Sequence, residues 1–534
     1  MTKITLAQFN PMVGDIDNNV EQILKLIQKA QPTECIVFPE LALTGYPPED
    51  LLHRPAFIES AWHGLEKIIN EIGNTYCIIG VPIQEADGLK NSAVVIHDHT
   101  IIAAYHKQKL PNYGVFDEYR YFTPGNQNTI FKIGKHNVGL TICEDIWTND
   151  VAQSLKSEGA DFIISLNASP FEIDKAQKRV NTLKEINNAT GLPLLYVNCL
   201  GGQDELVFDG GSMAMNAEGD VIAHAPFFEE NLLDIDSEKL FQAHTGSSIV
   251  EKDDNEKIYH ALVLGVKDYI EKNQFPSVII GLSGGIDSAL TLKIAVDAIG
   301  ANRVHAVMMP SRFTSDISLE DAKLLAERLK VRYDIISIEK SFEAFNQTLH
   351  SVFANTTLDS TEENIQARCR GIILMALSNK FKSLVLTTGN RSEMAVGYST
   401  LYGDMAGGFC VLKDIPKTRV FELSNYINRD GEIIPQRTID RPPSAELAED
   451  QKDQDSLPSY DILDKIIHYY VDLQYGMKQI IAKDFDEAVV KKIIQLIDFN
   501  EYKRRQSPPG VRINHKAFGR DRRYPITNRF KSSS

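Results

Sequence analysis

SVIIGLSGGIDSALTLKIAVDAIG, residues 277–300, decides the fold of the second half of the chain. An apolar run over 277–283, typical of a buried strand, leads through a glycine-rich turn into a helix over 289–299. The alternation continues on both sides, with a helix predicted over 258–272, strands over 304–310 and 333–338, and a helix over 319–330. Strands that alternate with helices indicate a doubly wound parallel sheet with helices on both faces.

The glycine-rich turn, GLSGGIDSA (281–289), is typical of a phosphate-binding loop. The first N–H groups of the helix can bind an anion, Gly284 and Gly285 allow close backbone approach, and Ser283 and Ser288 add hydroxyl donors. The loop has Asp287 and lacks the lysine of the GxxxxGK[ST] pattern. A carboxylate beside phosphates is explained if it holds Mg²⁺, which bridges to the phosphate oxygens. The loop therefore predicts a site for a nucleotide and its metal.

The first ~245 residues follow a different pattern, in which many short apolar runs indicate a sheet-rich layered α/β fold. The run 92–107 reads as a hairpin that turns around 98–100. Strands are predicted over 4–9, 35–40, 76–83, 138–145, 161–169 and 192–199, and helices over 21–30, 56–72 and 175–189.

Length and composition predict two soluble domains. The chain has 534 residues, which exceeds the ~250–300 residues at which one core stops growing. Its 43% hydrophobic and 24% charged residues are ordinary for a globular protein. Apolar runs stay below the ~20 residues that span a bilayer, and the chain enters KITLAQFN without an apolar leader. We therefore expect a cytoplasmic protein with no membrane contact.

A polar, acidic stretch near 245–256 is the predicted junction, which gives domains over 1–250 and 257–534. The Pro-rich, charged segment 441–460 is predicted to be either a mobile lid or a disordered loop. The six cysteines show no CxxC pair, so disulfides and structural zinc are disfavoured.

The distribution of charge favours anionic small molecules over nucleic acids as partners. A formal net charge of −16 argues against nucleic-acid binding, so anionic substrates would need a local group of cations. From Lys503 onward the chain has ten Lys or Arg residues and one acid, Asp521. Such a cluster suits phosphate groups, and an RNA-binding tail is the disfavoured alternative because the rest of the chain is acidic.

Three residues of the first half could form a catalytic group. Glu40, Lys107 and Cys143 each stand at a predicted strand end, so their side chains could converge at one rim of a sheet. A thiolate is a nucleophile, a lysine ammonium stabilises it and the oxyanion, and a carboxylate moves the proton. Lys109 is an alternative to Lys107, and Glu118 is either a second carboxylate of this group or a structural residue.

Motifs of the second half resemble known ATP enzymes. SGGxDS is similar to the loop of the ATP pyrophosphatases, and ENIQARCR (363–370), TTGNRSE (387–393), KDIPKTRVFEL (413–423) and NHKAFGRDRRYP (514–525) resemble the NAD synthetases. Where small ammonia-using members carry a lysine before YGD, this chain has Leu401. The resemblance implies ATP contacts from Gly281, Leu282, Ser283, Gly284, Gly285, Ile286, Asp287, Ser288, Thr388 and Lys417; Mg²⁺ at Asp287 and Glu393; and dinucleotide contacts from Asn364, Arg368, Glu393, His515 and Lys516.

The Glu40, Lys107 and Cys143 pattern, with K-x-[HYK]-L-P matched at Lys107, resembles the nitrilase amidase superfamily. That resemblance implies an αββα sandwich and a glutamine site formed by Tyr113, Ser169 and Lys175. Together the two resemblances imply an enzyme that takes ammonia from glutamine and uses ATP to amidate nicotinic acid adenine dinucleotide. The alternatives are another carboxylate acceptor or an inactive nitrilase-like half. The family also implies a homo-oligomer, with a dimer favoured.

Overall fold

The computed structural model describes residues 2–243, 253–448 and 457–530. Its contacts divide the chain into two compact units, residues 1–252 and 253–534. Residues 245–252 of the predicted junction and 449–456 of the Pro-rich segment lie outside the described residues. Within the described ranges, every helix is too short or too polar to cross a membrane.

The first unit contains two six-stranded sheets, each with parallel and antiparallel pairs. One sheet has the order β14-β1-β2-β3-β4-β5, with β1 (Lys3–Gln8), β2 (Cys35–Val37), β3 (Tyr76–Glu85), β4 (Gly88–His97), β5 (Thr100–His106) and β14 (Asn231–Asp236). The other has the order β13-β12-β9-β8-β7-β6, with β6 (Ile130–Ile133), β7 (His136–Ile142), β8 (Phe162–Asn167), β9 (Leu194–Asn198), β12 (Met213–Met215) and β13 (Val221–His224). A two-stranded ribbon joins β10 (Leu200–Gln203) and β11 (Leu206–Asp209).

Side-chain alternation along the strands builds three apolar layers. Ile4 and Leu6 of β1 belong to the core between the two sheets, whereas Ala7 belongs to the core under two helices. Those helices, α1 (Ile16–Lys29) and α2 (Pro55–Glu71), cover the first sheet, and α3 (Asn149–Ser157) and α4 (Lys175–Thr190) cover the second. This order of layers confirms the predicted αββα sandwich.

Two strands end earlier than the sequence predicts, and both differences concern candidate catalytic residues. The strand predicted through Glu40 ends at Val37, because Pro39 lacks an N–H group and Leu41 has a φ of 46°. The strand predicted through 145 ends at Ile142, since Cys143 has a φ of 45° and starts a 3₁₀ turn. Glu40 and Cys143 therefore stand in turns just beyond strands rather than within them.

The second unit is built on a five-stranded parallel sheet of order β17-β16-β15-β18-β19. Its strands are β15 (Val278–Gly281), β16 (Val304–Met308), β17 (Arg332–Ile335), β18 (Leu384–Thr387) and β19 (Phe409–Cys410). The order reverses between β15 and β18, so this edge is the switch point at which open α/β sheets bind ligands. The predicted doubly wound sheet is confirmed.

Helices complete the second unit. On one face of the sheet, Ile279, Val307 and Val385 pack with Phe342 and Cys369. The helices are α5 (Asp254–Lys272), α6 (Ile286–Ile299), α7 (Asp316–Leu329), α8 (Glu339–Leu349), α9 (Ser360–Phe381), α10 (Arg391–Val396), α11 (Lys417–Ile427), α12 (Gln436–Asp440), α13 (Tyr460–Ile467), α14 (Met477–Ile481), α15 (Glu487–Phe499) and α16 (Glu501–Arg504).

Candidate active sites

In the first unit, Lys107 links two carboxylates in a buried cluster. Its Nζ donates to Glu40 Oε1 at 2.7 Å and to Glu118 Oε1 at 2.8 Å, and all three residues are buried. Burial alone would lower the pKa of Lys107, but the two carboxylates hold it well above its ordinary value. Lys107 is therefore a permanent cation at this position.

Glu118 belongs to this cluster. From the sequence it could have been either a second carboxylate of the group or a structural residue. It lies in a 3₁₀ turn (Glu118–Arg120), and Tyr46 Oη donates to its Oε1 at 2.8 Å. Its Oε2 is buried without a hydrogen-bond partner among the residues that the structure describes. Burial raises the pKa of Glu118 above its ordinary value, although Lys107 acts in the opposite direction.

Lys109 lies outside the cluster. Its Nζ pairs with Asp150 Oδ2 at 2.5 Å, and 40% of its side chain is exposed. The two lysines differ because Lys107 immediately follows β5 and points into the sandwich, while Lys109 stands two residues further along the loop. The geometry thus brings Lys107, and not Lys109, to Glu40.

Besides Lys107, two further donors hold Glu40, and neither could be identified from the sequence. Asn91 Nδ2 donates to Glu40 Oε1 at 2.8 Å, and the backbone N–H of Ala168 donates to Oε2 at 3.0 Å. The turn that carries Glu40 also requires a glycine on the next strand, because a Cβ on Gly80 would lie 2.3 Å from the Leu41 nitrogen. Both oxygens of Glu40 are therefore held in place.

Cys143 interacts electrostatically with these charges. Burial and then the charge of Glu40 raise the pKa of the Cys143 thiol well above its ordinary value, while Lys107 lowers it. The resting thiol is therefore protonated near neutral pH. A thiol of this kind needs a base that takes its proton as it attacks, and Glu40 is a carboxylate that can do so.

The three predicted glutamine contacts differ in burial and in the residues they contact. Tyr113 is 58% exposed, and its Oη donates to Glu144 at 2.9 Å. Lys175 begins α4 with its Nζ 4.4 Å from the centre of the Trp147 ring, and burial lowers its pKa. Ser169 is buried, and its Oγ accepts from Arg179 Nε at 3.1 Å.

In the second unit, two cavities open where β15, β16 and β18 end. The first, of about 260 Å³, has backbone of the phosphate loop and apolar side chains including Met309 and Val385 in its wall. The second, of about 380 Å³, is more polar. Ser283 and Thr388 line both cavities.

The second cavity brings together residues that the sequence assigned to three ligands. It is lined by Asp287 and Ser288 of the phosphate loop, by Asn364 on α9, and by Glu393 and Lys417. Lys417 Nζ contacts Asp287 Oδ2 directly and lies 3.3 Å from Glu393 Oε1. Asn390 Nδ2 donates to Asp287 Oδ1 at 2.9 Å. Asn390 is thus a further site residue, and the TTGN string could have indicated it.

Three predicted dinucleotide contacts lie elsewhere. Arg368 is exposed and donates to the Leu401 carbonyl at 3.2 Å, and Arg368, His515 and Lys516 are absent from the walls of both cavities as the described residues define them. On the same helix as Arg368, Arg370 does line the first cavity.

The cations of the C-terminal tail divide into two groups. Lys503 lines the second cavity and donates to the Gly397 carbonyl at 2.8 Å. Arg504 and Arg512 instead form buried ion pairs, Arg504 with Glu501 and Arg512 with Asp521. Part of the predicted phosphate-binding cluster therefore fixes the tail itself.

Comparisons with known proteins match both units. The family model for carbon-nitrogen hydrolases matches residues 3–243, and the model for NAD synthase matches residues 258–507. The glutamine-dependent NAD(+) synthetase of Acinetobacter baylyi is 48% identical over 98% of both chains. The structure of the glutamine-dependent NAD+ synthetase of Acinetobacter baumannii, in complex with ADP, is 46% identical, covers 99% of this chain and 98% of that one, and has a TM-score of 0.80. The corresponding Cytophaga hutchinsonii structure, at 23% identity, covers 99% of this chain and 98% of that one; its TM-score of 0.86 shows the shared fold.

Fold and sites thus define a two-domain carbon–nitrogen ligase, in which an amidase sandwich precedes a nucleotide-binding parallel sheet. Such ligases take an amide nitrogen from one substrate and join it to another at the expense of ATP. The chain belongs to the family of glutamine-dependent NAD⁺ synthetases, which use glutamine as the amide donor.

Proposed function

We propose that the two sites carry out the two halves of this reaction with the residues named above. The observation that carries the proposal is the buried Glu40–Lys107–Glu118 cluster, whose charges act on the Cys143 thiol. Burying charges is costly, and charged groups with perturbed pKa values cluster at functional sites. We assign residues 1–250 to the glutaminase domain and 257–534 to the synthetase domain.

In the glutaminase half, Cys143 Sγ attacks the side-chain amide carbon of glutamine while Glu40 takes the thiol proton. Lys107 stabilises the negative charge that develops on the amide oxygen. Glu40 then gives the proton to the leaving nitrogen, and ammonia departs from a thioester. Water attacks this thioester, its proton passes through Glu40 back to the sulfur, and glutamate is released. Glu118 keeps Lys107 charged throughout.

We assign glutamine binding to the residues around the cluster. The Lys175 ammonium suits the α-carboxylate of glutamine, and burial strengthens such an ion pair. We assign the remaining contacts to the hydroxyl groups of Tyr113 and Ser169, which in the structure interact with Glu144 and Arg179.

In the synthetase half, the phosphate loop from Gly281 to Ser288 and Thr388 bind ATP. The nicotinate carboxylate attacks the α-phosphorus, and pyrophosphate leaves. Ammonia then attacks the carbonyl carbon of the mixed anhydride, which gives NAD⁺ and AMP. The apolar first cavity suits the adenosine, and Lys417 suits the leaving phosphates.

The position between Asp287 and Glu393 fits Mg²⁺. Two carboxylates from separate elements converge there on one cationic group, the Lys417 ammonium, and oxygen ligands of this kind suit Mg²⁺. A bound Mg²⁺ would neutralise charge on the phosphate oxygens. We further assign Asn364, Arg368, Glu393, His515 and Lys516 to the dinucleotide. We also propose that the protein is a homodimer and is located in the cytoplasm.

Replacing Cys143 tests the division into two sites. Cys143→Ala should abolish NAD⁺ synthesis from glutamine, since no thioester can form, yet leave synthesis from ammonium salts. Rescue by ammonium should increase with pH, because more of it is then deprotonated. Cys77→Ala is the matched control: its sulfur is buried between the first sheet and its helices, so it should cost only ~1–2 kcal/mol of stability and keep both activities.

Loss of both activities in folded Cys143→Ala would refute the two-site assignment. Retention of glutamine-dependent synthesis would show that another group is the nucleophile.

A further inference from the structure

Asp145, two residues after Cys143, has a carboxylate that accepts four hydrogen bonds in a fully buried position. Its Oδ1 accepts from the backbone N–H groups of Gln108 at 3.0 Å and Lys109 at 2.8 Å. Its Oδ2 accepts from the backbone N–H of Ile142 at 2.9 Å and from Tyr105 Oη at 2.8 Å. All of the acceptor positions on the two oxygens are thus in use.

The four donors come from the two segments that carry the reactive groups. Tyr105 lies on β5, two residues before Lys107, and Gln108 directly follows Lys107, so the carboxylate holds the chain on both sides of Lys107. Ile142 is the last residue of β7, directly before Cys143. Asp145 therefore connects the strand that presents the ammonium with the turn that presents the thiol.

We propose that Asp145 is a positioning residue that fixes the Lys107 ammonium relative to the Cys143 sulfur. The inference rests on the proposed roles of those two residues in glutamine hydrolysis. The four hydrogen bonds of Asp145 reach backbone groups and Tyr105, so Asp145 acts through the two segments and does not itself take part in the chemistry.

Only an ionised carboxylate satisfies this arrangement. An asparagine would offer one acceptor oxygen and an NH₂ group, and the NH₂ would face either the two backbone donors at 108–109 or the pair at 142 and 105. The segment that faces the NH₂ group would then lose its hydrogen bonds to this side chain. Burial raises the pKa of Asp145 to about 6 even though the backbone donors and Tyr105 act to lower it, so most of the carboxylate is ionised at neutral pH.

Asp145→Asn tests the proposal, with Asp161→Asn as its matched control. Asp161 Oδ2 accepts the Asn137 backbone N–H at 2.7 Å near the opposite end of the same strand β7, so the control changes the same chemistry away from the site. A displacement of about 1 Å costs about 100-fold in rate. We expect Asp145→Asn to lower kcat for glutamine by about 100-fold, with KM within about 3-fold of the wild type, and Asp161→Asn to leave both nearly unchanged.

A second readout follows the thiol directly. Alkylation of Cys143 by iodoacetamide, measured by mass spectrometry, should be at least about 10-fold slower in native Asp145→Asn and equal to the wild type after unfolding in urea. Ammonium-dependent NAD⁺ synthesis should persist. If Asp145→Asn unfolds the first unit, Tyr105→Phe removes one donor of the four and should reduce kcat and alkylation by about 3–10-fold without changing KM.

The proposal is overturned if Asp145→Asn keeps kcat within about 3-fold of the wild type, or if Asp161→Asn loses as much. If Asp145→Asn unfolds the first unit, an unchanged kcat and alkylation rate in Tyr105→Phe would also overturn the proposal. These failures would leave the Cys143→Ala result untouched, whereas failure of the proposed function would appear in Cys143→Ala itself.

Discussion

Replacing Lys107 by methionine should destabilise the first unit strongly. The ammonium lies 2.7 Å from Glu40 and 2.8 Å from Glu118, so its loss leaves two buried carboxylates without a counter-charge. Removing one partner of a buried ion pair costs about 3–5 kcal/mol. In a domain of this size each kcal/mol lowers the unfolding temperature by about 2–4 °C, which gives about 6–20 °C. Differential scanning calorimetry near pH 7.5 measures the shift.

Lys109→Met is the matched control, since it makes the same change two residues along the chain. Its partially exposed pair with Asp150 should contribute only about 0–1 kcal/mol, and therefore at most about 4 °C.

The destabilisation should also depend on pH. In Lys107→Met the burial that raises the pKa of Glu118 is no longer opposed by a cation, so the folded variant binds a proton that the unfolded chain releases above pH ~4.3. Stability of the variant then falls as pH rises, by up to about 1.4 kcal/mol per pH unit until the folded pKa is passed. The deficit relative to the wild type should be smaller at pH 5 than at pH 8. Equal shifts for the two lysine variants, or a deficit that grows toward acid pH, would refute this reasoning.

Two predictions concern the second unit. Asp287→Asn should raise the Mg²⁺ concentration for half-maximal ammonium-dependent synthesis by at least about tenfold, and an unchanged Mg²⁺ titration would contradict the metal assignment. Gly284→Ala should destabilise the unit by about 1–3 kcal/mol or more, because Gly284 has a φ of 81° and an added Cβ would lie 2.3 Å from the Ser318 carbonyl oxygen. Gly285→Ala, with its φ of −87°, is the comparison, and equal unfolding temperatures for the two variants would contradict the steric argument.

The sequence predicted both layered folds because their signals are local. Each signal depends only on residues close together in the sequence: strand-length apolar runs, helical periodicity and the loop 281–289. Such signals can be recognised without knowing the tertiary structure. Strand ends were less well predicted: Pro39 and the left-handed backbone at Cys143 stop strands within runs that read as apolar.

The sites were predictable only in part. Glu40, Lys107 and Cys143 could be found because each follows a strand, but Glu118 lies in a short turn whose place in the fold depends on distant Tyr46. Asp145 was missed because its role is visible only once the segments around 107 and 142 lie side by side.

Spacing along the chain does not determine how side chains are oriented around a helix or within the tail. Arg368 shares a helix with Asn364, yet among the described residues only Asn364 of the two lines the second cavity, and the assignment of Arg368 to the dinucleotide stays a prediction. Arg512 belongs to the C-terminal group of cations that suits phosphates, but it pairs with Asp521 inside the tail. Charge clusters in a sequence do not separate cations that bind ligands from cations that hold the chain.

The backbone of Cys143 has a consequence for the evolution and engineering of the enzyme. A φ of 45° is favourable for glycine and costs other residues about 1–2 kcal/mol. Glycine would relieve this backbone cost but would also remove a side chain that packs in the core between the two sheets, and the nucleophilic role proposed for Cys143 requires the sulfur. Under that proposed role, a version selected for stability that had replaced Cys143 would no longer release ammonia from glutamine, and its synthetase domain would depend on ammonia from the surroundings.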